Sequence, residues 1–522
     1  MKKLLLLLVA ILTMSFALSG CSEKVAPLSN VGGDVKSGNG TFAVEKGDYV
    51  YFVNGVGDMT ASNKMGDVEK GALVRVKTAD IGKEGATVET VIPKFVNTGS
   101  AVSGIYIYGD VVYYATPYDG KDKTGTVRTD YTDFRTFDLK TGNSTQILYE
   151  TNAVKDYKFV KNSNGVFLMY DYTTTVDDKE VKNFNVYNMS GSKVFSVEGY
   201  NELFTADEGY ANATNSDKVF YTKTAYSEEL EQDENFTEVY AYTAGASEAS
   251  VIFSGCGSNA LSRDGRNTDE YKAKILKYSD LAGVKVTLIE NTGLLLLMKV
   301  TANDSNLSSY YLAYEIDKAV NIKAEENANP VELGISNTYL DTAITANAYF
   351  KSLDEIYYIE NTTNLKGLVK FNYKNVNDFY HGREQICDEA DGYNIALWEG
   401  EYLYLCGTAG DYYRIKLDGV SELKKINAVT AKSITEWFVP RVINNKLICA
   451  YSEAIFQNYL FVVDMANVDS ENYEEDYLEK YAELDKDKVL ELNKTILGKK
   501  TDGDKSSFES LLESTYPEED EE

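Results

Sequence analysis

The side chains best suited to chemistry are few in this sequence, and their scarcity narrows the field. His381 is the only histidine among 522 residues. A Ser-His-Asp type triad needs a base, and histidine is the usual one. Catalytic zinc sites commonly take two or three histidines. His381 stands in the polar stretch FYHGREQ, which reads as a surface loop. No Gly-rich phosphate-binding loop is present, and no EF-hand loop with its internal Gly and terminal Glu. Asp388-Glu389-Ala390-Asp391-Gly392 is an acidic turn of the solvated kind. The sequence therefore identifies no catalytic residue, no metal ligand and no cofactor site. Carboxylates remain, 81 of them, from which no acid/base pair can be chosen by spacing.

The cysteine with the clearest chemistry is Cys21. The first 21 residues read MKKLLLLLVAILTMSFALSGC. Lys2 and Lys3 precede an apolar run, Leu4 to Leu18, that is shorter than the about 20 residues a spanning helix needs. A positive start, a short apolar core and small residues behind it predict a secretory signal peptide over 1–20. Leu18-Ser19-Gly20-Cys21 resembles the bacterial lipobox. That resemblance implies cleavage before Cys21 and a lipid on its thiol. Each buried acyl methylene adds about 0.8 kcal/mol, so several chains on one residue give a stable membrane anchor. The expected location is the extracytoplasmic face of the membrane. Residues 21–45 are rich in Gly, Ser, Asn and Lys and read as a flexible tether.

The other cysteines are Cys256, Cys387, Cys406 and Cys449. They form no CxxC pair and indicate neither a zinc knuckle nor a disulfide framework. One or two disulfides are compatible with their number. Cys406 in YLYLCG and Cys449 in KLICAY fit strands, where a thiol packs as a small hydrophobe.

The formal charge of −29 argues against nucleic acid, which calls for a basic stripe, and against broad contact with anionic headgroups. Hydrophobic residues make up 43% of the chain, enough for a large core. The 41 tyrosines against 21 phenylalanines and 2 tryptophans favour strands, with a ring for the sheet and a hydroxyl for its wet edge. Tyr106, Tyr108, Tyr113, Tyr114 and Tyr118 crowd one hairpin, where cross-strand packing is the expected use.

The elements that would carry any site repeat along the chain. A turn with Gly, Asn or Asp precedes an aromatic β-rich run, then a polar loop, then a second run. Eight such hairpins begin near Asp48, Asp110, Gly165, Asp217, Gly293, Asp354, Gly400 and Asn445, at steps of 45 to 76 residues. Ala86–Ile92, stopped by Pro93, reads as a further strand of the first unit. Units of several short strands at about this period indicate propeller blades, with loop insertions in the longer ones. The predicted fold is all-β: a seven- or eight-bladed propeller over 46–466, followed by a short C-terminal helical tail. That tail, 467–522, is acidic; its last 52 residues hold 18 acidic and 7 basic side chains. Leu478, Tyr481, Ala482, Val489, Leu492 and Ile496 predict a helix over 474–497, and Ser506 and Glu509 a capping box for a second.

Val219-Phe220-Tyr221-Thr222-Lys223 and Val112-Tyr113-Tyr114-Ala115-Thr116 look like the blade strand of the LDL-receptor YWTD type. The chain resembles the Tyr-rich β-propeller lipoproteins of clostridia and their relatives over roughly 45–466. No Tyr-Trp-Thr-Asp occurs, and the resemblance carries over no functional residue. Ser262 to Thr268 resembles the sialidase Asp-box loosely, with its Gly one position early and no closing Trp, and reads as a polar turn.

Together these readings predict a membrane-anchored lipoprotein whose propeller binds a protein or glycan at the cell surface. The alternative is a carbohydrate-active propeller enzyme using paired carboxylates. The expected partners are the membrane, through the lipid on Cys21, and that ligand, with no nucleic acid.

Overall fold

The structure is a computed structural model. It describes residues 27–470 except for loop stretches, the longer ones being 54–71, 118–130, 226–235, 255–283, 317–330, 336–347 and 372–382. Cys21, Cys256, His381, the 262–268 turn and the expected tail helices lie outside the described residues.

Among the described residues the chain forms eight antiparallel sheets in sequence order. Sheet 1 spans Val35–Ser37 to Glu89–Ile92, sheet 2 Tyr106–Tyr108 to Asn143–Glu150, and sheet 3 Val154–Asn162 to Lys193–Glu198. Sheet 4 runs from Glu202–Thr205 to Ser250–Ser254, sheet 5 from Val284–Asn291 to Val331–Ile335, and sheet 6 from Tyr349–Ser352 to Arg383–Cys387. Sheet 7 spans Asn394–Glu399 to Lys424–Asn427, and sheet 8 Thr435–Glu436 to Gln457–Asp464. Each of the eight hairpins read from the sequence is a pair of adjacent strands within one sheet: the second and third of sheets 2 to 7, and the third and fourth in chain order of sheets 1 and 8. Glu89–Ile92, inside the run expected at 86–92, is the fifth and last strand of sheet 1.

Successive sheets pack face to face. Buried clusters join sheets 1 and 2, 2 and 3, 3 and 4, 4 and 5, and 6 and 7. The molecule is an all-β propeller. A small sheet cannot bury both faces alone, and radial packing lets each blade do so. This is why runs such as Leu295–Ala302 are nearly continuous in apolar residues rather than alternating.

The meander gives every sheet two distinct ends. One end holds the turns that precede and follow each of these hairpins; we call it the turn end. The other holds the turn inside the hairpin and the links from sheet to sheet; we call it the link end. The ends align across sheets. At the turn end Lys46 Nζ lies 3.1 Å from Asp110 Oδ1, joining sheets 1 and 2, and Asn162 Nδ2 donates to Asp217 Oδ2 at 3.1 Å, joining sheets 3 and 4. At the link end of sheet 3, Asp177 and Asp178 both have positive φ (49° and 61°), the two-residue hairpin turn whose twist matches the strands.

The stretch expected as a tether over 21–45 contributes to the fold. Val35–Ser37 and Ala43–Lys46 are strands of sheet 1, and Val31 is buried between sheets 1 and 2 with Leu28 and Val35 against it. Its small residues serve close approach: a Cβ on Gly33 (φ +96°) would stand 2.7 Å from the Gly47 Cα. Composition alone reads such a segment as linker, because the apolar anchors Leu28, Val31 and Val35 are sparse and the glycines that fit the crevice look like flexibility.

Both described cysteines with side chains, Cys387 and Cys406, are free thiols, so no disulfide joins them. Cys406 is buried in its strand, as expected of a small hydrophobe, while burial pushes the Cys387 thiol up. Cys449 lies in the strand Lys446–Ala454.

Candidate functional site

The site is built on sheet 3 by period-two alternation. In the strand Val154–Asn162 (VKDYKFVKN), Tyr157 and Phe159 join the cluster with sheet 2, while Asp156, Lys158 and Val160 alternate with them toward sheet 4. Register places Asp156 opposite Asp171, and Lys158 opposite Met169, on the next strand. Asp171 in turn faces Phe184, and Thr173 faces Lys182. Near the link end, sheet 4 begins too late to cover this face. Glu202–Thr205 is its short first strand, and the link residues Tyr200 and Asn201 arch over the gap.

A cavity of about 260 Å³ remains there, lined by Lys155, Asp156, Lys158, Asp171, Lys182, Tyr200, Leu203 and Thr205 among others. Asp156 is exposed to solvent at this opening, although nearby protein still surrounds its carboxyl closely enough to disfavour the charge. That setting raises its pKa above the usual carboxylate range, chiefly by desolvation, with Lys158 opposing. Asp171 is raised by desolvation first and by the neighbouring Asp156 charge second. Its Oδ1 accepts from the Asp156 N–H at 2.9 Å, and its Oδ2 accepts from the Tyr200 hydroxyl at 3.2 Å. Directly opposed antiparallel residues hold their Cβ atoms about 4.5–5.5 Å apart, so the two carboxyl groups are near neighbours.

Cations interleave with these acids. Lys158 is only 8% exposed and donates from Nζ to the Ala206 carbonyl at 2.5 Å. Lys182 donates to the Asn201 carbonyl at 2.7 Å and lies 5.9 Å from the Tyr200 ring centroid. Beyond the cavity Glu202, raised by desolvation, accepts from the Leu288 N–H at 2.8 Å and ties sheet 4 to sheet 5. The pocket thus offers carboxylates, ammonium groups, a phenol and one aromatic face in a concave setting. Such a surface can meet a ligand dense in hydroxyl groups, and its two neighbouring carboxyls can each accept a hydrogen bond from one.

Sequence reasoning singled out none of these residues. The usable signal was charge at alternating positions of Val154–Asn162, between aromatic residues that claim the other face. The Asp388 to Gly392 turn is a single 3₁₀ turn whose Asp391 lies 3.7 Å from the exposed Lys366, and no cluster of three metal-ligating side chains occurs among the described residues. The tyrosines behave as packing groups: Tyr106, Tyr113 and Tyr114 are buried, and Tyr118 lies outside the described residues.

No family model and no curated protein matches the chain. Solved structures with a similar shape include the β-propeller domain of the Trilobed protease from Pyrococcus furiosus, at 11% identity and TM-score 0.33, covering 75% of this chain and 95% of that one. Another is the acylaminoacyl peptidase of Pyrococcus horikoshii, at 12% identity and TM-score 0.36, covering 80% of this chain and 59% of the peptidase. A third is prolyl oligopeptidase B from Galerina marginata, at 10% identity and TM-score 0.39, with 68% and 48% covered. The chain therefore spans about half to three fifths of these two peptidases. At such scores the likeness extends to neither their activity nor the clostridial and YWTD resemblance, which stays at the level of a generic propeller.

Proposed function

We propose that this protein is a membrane-anchored extracytoplasmic lipoprotein, held by a lipid on Cys21, whose propeller binds a ligand at the cell surface. Of the two ligand classes the sequence allows, protein and glycan, the pocket between sheets 3 and 4 favours a glycan. The observation that carries this is the cavity itself. At about 260 Å³ it is smaller than the about 300–1,000 Å³ usual for drug-sized ligands, and it holds hydrogen-bonding groups of both signs around the Tyr200 ring. A flat protein epitope would want a broad apolar patch with few charges at its centre. A single sugar unit or chain end would want this mixture. The test is a glycan array probed with the detergent-solubilised protein. Selective binding that is lost in Lys158→Met and Asp171→Asn supports the reading. Binding to none of the glycans, alongside recovery of a protein partner from intact envelopes, would overturn it.

The Asp156–Asp171 pair favours a second reading, a carbohydrate-active enzyme using paired carboxylates. Two raised carboxyls side by side keep a proton above the ordinary carboxylate range, as a proton donor needs. Release of a chromophore from aryl glycosides, abolished in both Asp156→Asn and Asp171→Asn, would establish it; binding without turnover leaves the pocket a recognition site.

A further inference from the structure

The end of the folded chain and the pocket lie at opposite ends of the propeller. Entering at Leu28, the chain stays at the turn end through Asp34. The Ser29 carbonyl accepts from Arg75 Nη2 at 2.7 Å, the Gly33 carbonyl from Lys46 Nζ at 2.5 Å, and the Asp34 carbonyl from the Gly47 N–H at 3.0 Å. Arg75 is fully buried, its guanidinium 4.1 Å from the Tyr49 ring centroid and its Nη2 2.8 Å from Glu89 Oε2. Leu28, Val31 and Val35 wedge into the core between sheets 1 and 2. Only at Val35–Ser37 does the chain turn toward the link end, where Gly40 and Thr41 pair with Ile105. The pocket opens at that link end, beside the Tyr200–Asn201 link.

Six residues separate Cys21 from Leu28. Seven chain steps reach at most about 25 Å, even fully extended. A compact domain of this size has a radius of gyration of about 22 Å, hence a breadth of roughly 50–60 Å. The tether is thus less than half the breadth of the body it holds. The net charge of −29 gives no attraction to an anionic surface that could override it.

We infer that the wedge of Leu28 to Val35 orients the propeller on the membrane, with the turn end of sheets 1 and 2 against the lipid headgroups and the pocket facing away from the bilayer. This rests on the lipid anchor at Cys21 proposed above. The orientation leaves the pocket open to ligands outside the cell and shields the turn end from them. A tether flexible over the whole of 21–45 would have allowed any face to meet the membrane.

The test uses the full-length lipidated protein in phosphatidylcholine vesicles doped with a headgroup-labelled quencher lipid. A fluorophore is introduced through an encoded non-canonical residue at Asp48, exposed at the turn end, or at Glu180, exposed beside the link-end hairpin. The expected result is quenching at position 48 at least two-fold greater than at position 180. Inserting about 20 Gly/Ser residues after Ala26 should bring the two to equality. Equal or reversed quenching in the unextended protein, or a difference that survives the extension, overturns the inference. Failure of the anchor itself is read separately. If the mass of the mature protein lacks a diacylglyceryl group on Cys21, or Cys21→Ser leaves vesicle retention unchanged, the proposed anchoring fails and the orientation falls with it.

Discussion

Toward sheet 2, sheet 3 presents Tyr157, Phe159, Leu168 and Tyr170; toward sheet 4, near the link end, it presents Asp156, Lys158, Met169 and Asp171. The same two strands build both faces. On the first, rings interlock: Phe134 stacks on Tyr170 at 5.1 Å between centroids and meets Tyr157 edge-on at 5.5 Å. The phenols bond across sheets, with Tyr108 donating to the Phe159 carbonyl at 2.8 Å and Tyr157 accepting from the Ala115 N–H at 3.2 Å. Tyrosine thus serves twice in one position, filling the gap between blades and satisfying polar atoms at its rim. On the second face the same spacing holds charges that desolvation penalises, around space that protein does not fill. One face closes the fold, and the other gives up packing to keep a polar cavity.

The largest effect should come from breaking the closed face. Phe134→Ala removes a fully buried ring from the sheet 2–sheet 3 cluster and should cost about 3–5 kcal/mol in chemical denaturation, with ligand affinity unchanged where the fold persists. Lys158→Met is the counterpart on the open face. It leaves the Ala206 carbonyl without its 2.5 Å donor and Asp156 without its counter-charge, and should cost about 1–3 kcal/mol while weakening ligand binding. A loss of binding in both variants, or in neither, would erase the distinction between the faces.

The pH dependence sharpens it further. Asp156 and Asp171 have pKa values raised in the folded protein, so folding favours their neutral forms. Their contribution to stability is complete below the ordinary carboxylate range and is lost as pH rises through the raised values. Asp110 has the opposite sign. Lys140 and Lys46 hold its pKa down, so its contribution is present above the ordinary value and is lost on acidification through the lowered one. The Asp156→Asn/Asp171→Asn double variant should therefore gain in denaturation midpoint relative to the parent as pH rises above the ordinary carboxylate range, and Asp110→Asn should not. Smallest of all, Lys182→Ala removes an exposed ammonium whose partner carbonyl can turn to water, and should shift stability by about 0.5 kcal/mol or less.

How much of this was legible from the chain follows the same division. The two hairpin strands of each of the eight sheets were readable, because these strands carry dense aromatic and β-branched runs between turn residues. Most first strands were not. Tyr106–Tyr108 and Glu202–Thr205 span three and four residues, too short for a period to register. Val154–Asn162 is long enough, but its Asp and Lys positions dilute the apolar signal that marks a strand. Those diluting residues are the pocket. The acids there were invisible among 81 carboxylates because only register, Asp156 opposite Asp171, singles them out. The role proposed for Cys21 has the opposite source: it rests on local order along the chain and draws on no feature of the fold.

The central claim is that the link-end pocket of sheet 3 is where this propeller meets its ligand. The most direct measurement is calorimetric titration of the tightest glycan found on the array against the parent protein and Asp171→Asn, with thermal melts run in parallel. The account predicts at least a ten-fold weaker affinity, about 1.4 kcal/mol, in a variant that melts no lower than the parent. Equal affinity in a folded Asp171→Asn protein would contradict it and move the binding surface elsewhere on the propeller.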